Sequence, residues 1–147
     1  NGVAVGSGFQ LILLTDIRIS HQNAKFGQVE INSGITSITG AWIIEKVLGL
    51  SKSIELCLTG KLVNGKKAYE IGIIHHLTSQ KNVMKLSLKI AKALSQKPQH
   101  AMRLTKKRIW ELFKKEMEET FKSAKKYHKI SFKLGEPQKT TKDFLKK

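Results

Sequence analysis

Three places in this chain hold residue types that can do chemistry. The first is Gly6-Ser7-Gly8, between a strand-like Val3-Ala4-Val5 and an apolar run from Phe9 to Leu14. Small residues there let backbone N–H groups converge on an anion, and a helix N-terminus adds a favourable dipole. A dinucleotide-binding fingerprint would need a third glycine where Leu11 stands, and a longer crossover helix. A serine-hydrolase elbow would need glycines where Val5 and Phe9 stand. An oxyanion hole needs only small residues and free N–H donors. Taken by itself, the triplet reads first as a tight turn.

The second place is Glu30, the only acid between Asp16 and Glu45, set in an apolar, amide-rich stretch, Phe26-Gly27-Gln28-Val29. A partly desolvated carboxylate suits proton transfer; on local context a solvated loop acid is at least as good a reading. The third place, His75-His76, has no Cys, Asp or Glu partner at metal-ligand spacing, so it reads as loop or surface and no metal site is expected. Asp16, after the apolar run, reads as a cap or turn. Cys57 shares a helix face with Ile54 and Leu58 and reads as an inert buried thiol.

The elements that must position these residues follow from periodicity. Strands are expected at Val3–Val5, over Asp16–Ser20, where Ile17, Arg18 and Ile19 alternate, and starting at Ile73-Ile74. Ala24 to Thr36 is glycine-punctuated and reads as a loop with a short extended piece. Helices are expected over Phe9–Leu14, Ser37–Leu48, Ser51–Thr59 with Ser51 as cap, Asn64–Ile71 with Asn64 as N-cap, and Val83–Leu94. After Pro98 a long amphipathic helix should run from about Ala101 to His128. Its stripe is Leu104, Ile109, Trp110, Phe113, Met117, Phe121 and Ala124, read as core or subunit packing. Gly135 and Pro137 mark a loop, and the tail ends at Phe144-Leu145.

The chain divides into an α/β half, residues 1–80, and a basic helical half, residues 81–147. The second half holds 20 of the 27 Lys and Arg against six of the 11 acids, a formal +14 of the total +16. Such charge suits nucleic acid, an acidic membrane surface or a polyanionic small ligand. Glu111, Glu116, Glu118 and Glu119 interrupt the basic face of the long helix, and its aromatics lie on the apolar stripe. A docked helix with a solvated face is therefore the stronger reading, and neither nucleic acid nor a membrane is expected as partner. No apolar run is long enough to cross a bilayer. One cysteine excludes an internal disulfide and fits a reducing compartment, so a cytoplasmic location is expected. The abrupt start at a strand suggests that sequence lies upstream.

Together these pieces resemble the crotonase, or enoyl-CoA hydratase/isomerase, family, specifically its C-terminal portion. Asn1 to Gly8 looks like the family's N-G-x-A-x-G-G-G turn. Leu11 to Asp16 is similar to its short helix ending in C-D, with Thr15 for Cys. Ala24 to Glu30 resembles A-x-F-G-x-P-E, with Val29 for Pro. Ser53 to Gly60 resembles A-x-E-L-x-L-T-G, and Ala68 to Ile74 resembles E-A-x-x-x-G-L-V. Five pieces in the right order at the right spacing are specific.

The resemblance implies an α/β fold, a spiral of ββα units followed by a helical trimerisation region, and hence a homotrimer or dimer of trimers. It implies an acyl-CoA thioester substrate and no separate cofactor, CoA being part of the substrate. One backbone N–H of the oxyanion hole matches Ser7; the other donor matches no residue here and would lie upstream. The family's two catalytic glutamates match Gln10 and Glu30. An amide at Gln10 can orient a water or substrate but cannot exchange a proton at neutral pH, which leaves Glu30 as sole acid/base. One carboxylate can shift a double bond, so isomerisation is slightly favoured over hydration. A non-catalytic CoA-ester-binding or truncated member is a further alternative. Ser37 to Ala41 departs from the family's Pro- and Gly-rich segment, and Ile38 could reshape the acyl pocket. A C-terminal Phe and Lys that contact the CoA adenine and phosphate match Phe144 and Lys147, with Lys146 adjacent.

Overall fold

The computed structural model describes residues 2–146. Strand β1 (Val3–Val5) leads through Gly6 into helix α1 (Ser7–Leu13). Strands β2 (Ile19–His21) and β3 (Lys25–Gly27) follow, then a 3-10 turn over Glu30–Ser33. Helices α2 (Ile38–Leu48) and α3 (Leu50–Thr59), strand β4 (Val63–Asn64), helix α4 (Gly65–Glu70) and strand β5 (His76–Thr78) complete the α/β half. Helices α5 (Val83–Ser95), α6 (Gln99–Leu134) and α7 (Glu136–Leu145) make up the rest.

Two small sheets organise the first half. Strand β3 is central in one, parallel to β1 in the register Val5↔Gly27 and antiparallel to β4. Strands β2 and β5 pair parallel in the other. Parallel partners need long crossovers, and the helices that make them supply the core. Phe9 and Ile44 are fully buried, joined by Leu13, Phe26, Ile43, Leu56, Ala68 and Ile73. Burying a side chain the size of Phe9 contributes about 2–3 kcal/mol, so α1 is held by its core face despite its seven residues.

The helical half folds back onto this core: α5 on β2, α6 on α2, and α7 on the Glu30–Ser33 turn. Lys106 of α6 reaches Asp16 at 2.5 Å, and Glu116 takes both Lys46 Nζ (2.6 Å) and the Trp42 indole N–H (3.2 Å). Among the described residues no helix is long and apolar enough to cross a membrane.

Several local expectations need correction. Ile73 and Ile74 are not a strand. Their amides both bond to the Ala68 carbonyl, closing the end of α4, and their side chains are buried. The strand starts at His76, after the Arg18 carbonyl has taken the amides of His75 and His76. Ser51 does not cap α3, which begins at Leu50 with Gly49 as N-cap and no side-chain capping bond. Asn64 does cap α4, its Oδ1 accepting from the Lys67 amide at 2.9 Å. Gly135 and Pro137 do not form a loop. Gly135, at φ 81°, ends α6 and is also the N-cap of α7, where Pro137 sits in the first turn, a position that needs no N–H.

The α6 stripe is only partly core. Ala124 is buried and Phe113 and Met117 are half-buried, but Leu104, Ile109, Trp110 and Phe121 are exposed. Arg18, just before β2, is a buried charge at the centre of a hydrogen-bond cluster. It is buried, and its guanidinium donates to the carbonyls of Ile73 (2.5 Å), Leu13 (3.2 Å) and Thr15 (2.8 Å).

Candidate active site

The site forms where the parallel strands β1 and β3 end side by side. The Gly6 amide bonds to the Gly27 carbonyl at 3.0 Å, so the chain leaving β1 and the chain leaving β3 emerge together. The first enters α1, with Ser7 as its opening residue; the second reaches Glu30 at the start of the 3-10 turn. Ligands of parallel sheets gather at this strand end because the following loops and helix N-termini point there.

Gly6 has φ 56°, a conformation that disfavours a side chain, and a Cβ built on it would lie 3.2 Å from Glu30 Oε1. The Glu30 carboxylate therefore rests against the Gly6 backbone, one residue before the Ser7 amide. Gly6 lends no side-chain cap to α1. First-turn amides of a helix have no i−4 carbonyl of their own, so Ser7 and Gly8 carry donors that only a group outside the helix can take. The Ser7 side chain is exposed.

Glu30 and Gln10, proposed from sequence as a pair, are in contact. Gln10 Nε2 donates to Glu30 Oε1 at 3.2 Å, and Gln10 Oε1 accepts from the Thr39 hydroxyl at 2.9 Å. The charge on Glu30 dictates this order: a carboxylate only accepts, so the amide must present its NH2. Thr39 then meets the amide oxygen as a donor. Glu30 Oε2 is buried and, among the described residues, has no hydrogen-bond partner. Buried polar atoms are rarely left so.

Thr39 was not singled out from the sequence, although its segment was. The signal lies in a contact across 29 positions, from α2 to α1, which no local pattern reports. Gln28 is fully buried, donating to Ser37 Oγ at 3.1 Å, and packs against Gly40. Cys57 is buried, and desolvation pushes its thiol above the ordinary range, with the Ser53 hydrogen bond working against that shift and the Glu30 charge adding to it. Phe144 lies on α7, is 76% exposed and is not gathered into this cluster. Lys147 lies outside the described residues.

A family model described as enoyl-CoA hydratase/isomerase matches residues 1–147. The chain belongs to the enoyl-CoA hydratase/isomerase family. Among its relatives, the crotonyl-CoA hydratase of Syntrophomonas wolfei subsp. wolfei is 34% identical over 107 residues, 72% of this chain and 41% of the relative. The short-chain-enoyl-CoA hydratase of Clostridioides difficile is 34% identical over 110 residues, 74% of this chain and 70% of that protein. The crystal structure of an enoyl-CoA hydratase/isomerase from Pseudoalteromonas atlantica superposes with a TM-score of 0.91 at 18% identity, over 99% of this chain and 59% of the other. That of a carnitinyl-CoA hydratase from Mycobacterium avium gives 0.86 at 21% identity, over 99% and 57%. The fold is thus crotonase-like, as the motif order implied. This family member spans 41% of the Syntrophomonas relative and about six-tenths of the matched structures.

Proposed function

We propose that the protein carrying this chain acts on an enoyl-CoA thioester through an enolate, with Glu30 as its one acid/base group and the Ser7 backbone N–H as one donor to the thioester oxygen. The observation that carries this reading is the Glu30 carboxylate against the start of α1, one oxygen held by Gln10 and the other unpartnered.

The reaction one carboxylate can complete by itself is a double-bond shift. Glu30 Oε2 takes a proton from C2 of a 3-enoyl thioester. The C–H electron pair moves into the C2–C1 bond and charges the thioester oxygen, where backbone N–H donors stabilise it. The same proton returns to C4, the double bond moves to C2–C3, and the carboxylate is regenerated. Gln10 holds Oε1 in place and takes no proton. CoA arrives as part of the substrate, so no separate cofactor is needed, and the basic tail with Phe144, Lys146 and Lys147 is proposed to meet its adenine and phosphates.

A second reading, hydration of a 2-enoyl thioester, is favoured by the names of the two relatives above, both hydratases. Glu30 would then serve both water and C2, with Gln10 positioning the water. Turnover of 3-enoyl-CoA and 2-enoyl-CoA by the same preparation separates the two, since a hydratase consumes the second and leaves the first. For either reaction, Glu30→Gln should cut kcat by about 10²–10⁴-fold, the usual contribution of a positioned acid/base group, while acyl-CoA binding by titration survives. Unchanged turnover would remove Glu30 from the chemistry.

A further inference from the structure

The Glu30–Ser33 turn is a single 3-10 turn, and the segment that follows it ends with carbonyls that no helix ladder satisfies. Those carbonyls are taken by side chains from the far end of the chain. Ser131 Oγ donates to the Gly34 carbonyl at 2.7 Å, across 97 positions. His128 Nε2 lies 2.9 Å from the Thr36 carbonyl, and since a carbonyl only accepts, that nitrogen carries the proton. The Thr140 hydroxyl lies 2.8 Å from the Ser33 carbonyl, although its one proton is shared with Glu136 O and Pro137 O within its own helix, at 3.0 and 3.1 Å.

Ser131 is the most telling of the three. It is buried in the last turn of α6, and a helical serine often bonds back to a carbonyl of its own helix. Here it reaches out to Gly34 instead. Gly34 is shaped for the approach. It has φ 66°, and a Cβ on it would come within 2.8 Å of Glu136 Cβ and 3.1 Å of the Pro137 nitrogen. On the other side of the turn, Asn32 Nδ2 donates to the Gly60 carbonyl at 3.0 Å. The turn that carries Glu30 is therefore gripped from α3's end on one side and from α6 and α7 on the other.

We infer that Ser131, with His128 and Thr140, is a positioning residue for Glu30: the basic helical half fixes the backbone from which the carboxylate hangs. None of the three reaches the carboxylate itself; they act through the backbone of residues 33–36. The inference rests on reading Glu30 as the proton carrier. A carboxylate displaced by even an ångström from its reacting atom loses much of its advantage, so the clasp should register in kcat rather than in substrate binding.

The test is the Ser131→Ala/Thr140→Val pair in the protein carrying this chain, with Thr140→Val alone as the variant safest for folding. Losing a clasp bond should speed exchange of the Asn32, Gly34 and Ile35 amides, which close the turn, about tenfold. It should also lower kcat about tenfold with KM for the acyl-CoA unchanged. The hydroxyl-keeping pair Ser131→Thr/Thr140→Ser should restore both. Unchanged exchange at these amides, a change in KM alone, or no rescue by the hydroxyl-keeping pair would overturn the clasp. If instead Glu30→Gln is fully active, the proton-carrier reading fails by itself, and the exchange data still report whether the clasp holds the turn.

Discussion

At the scale of single residues, the site is a chain of three side chains, Thr39, Gln10 and Glu30, in which each member's orientation is forced by the next. The charge on the carboxylate turns the amide, and the amide recruits the hydroxyl. Gln10→Met keeps the length and removes the donor. It should release Glu30 Oε1 and lower kcat roughly tenfold, the value of one hydrogen bond to a charged group, with little change in KM; steady-state kinetics on the acyl-CoA measure both. An unaltered kcat would mean that the bond to Gln10 plays no part in aiming the carboxylate. Residue identity at these positions was legible in the sequence: Glu30 and Gln10 stood at matching points of a family motif. Which carboxylate oxygen is free was not, because that depends on the amide's orientation in space.

At the scale of elements, a buried arginine ties the end of α1 to the end of α4. Arg18, just before β2, draws in the carbonyls ending α1 and the Ile73 carbonyl after α4. Burial lowers its pKa from the ordinary value. Arg18→Met would leave three carbonyls without this donor and should cost about 3 kcal/mol in thermal or urea unfolding; a loss under about 1 kcal/mol would show that water replaces the guanidinium at little cost. The alternation from Asp16 to Ser20 reads as a strand, but the strand that forms runs from Ile19 to His21 and leaves Ile17 and Arg18 before it. Burial of the arginine was not legible, because its acceptors come from two other elements. His75 adds a pH signature. Its Nδ1 accepts from the Arg18 amide at 3.0 Å, and desolvation first, then the charges of Arg18 and His76, push its pKa below the ordinary histidine value of about 6.5. Below that value the unfolded chain binds the proton more readily. Stability from this group is therefore complete above about pH 6.5 and declines as pH falls through the window beneath it. The Tm should drop across that window and flatten in His75→Gln; an identical pH profile in the variant would assign the slope elsewhere.

At the scale of the whole molecule, the basic helical half is both a cover and an unfinished surface. It returns to the α/β half through α5, α6 and α7, yet Leu104, Ile109, Trp110 and Phe121 on α6 remain exposed. Of these, Ile109, Trp110 and Phe121 share one side of the helix, the kind of exposed apolar side that suits association, and a homotrimer or dimer of trimers is the assembly proposed for the protein carrying this chain. Light scattering should give a trimeric mass, and Trp110→Glu, which places a charge in the patch, should lower it; a monomer at micromolar concentration would refute the proposal. What the sequence by itself determined are the family, through motifs in the right order, and the helices from α1 to α6, through local periodicity and residue type; it also marked Gln10 and Glu30, through their match to the family's motif. The pairing of Thr39 with Gln10, the burial of Arg18 and the grip of α6 and α7 on the Glu30 turn were decided only by the tertiary structure. These contacts join residues 29 to 107 positions apart for Thr39 and the clasp, and 55 apart for Arg18 and Ile73. A local pattern constrains which face a residue takes, and says nothing of which distant carbonyl will lie within reach of it.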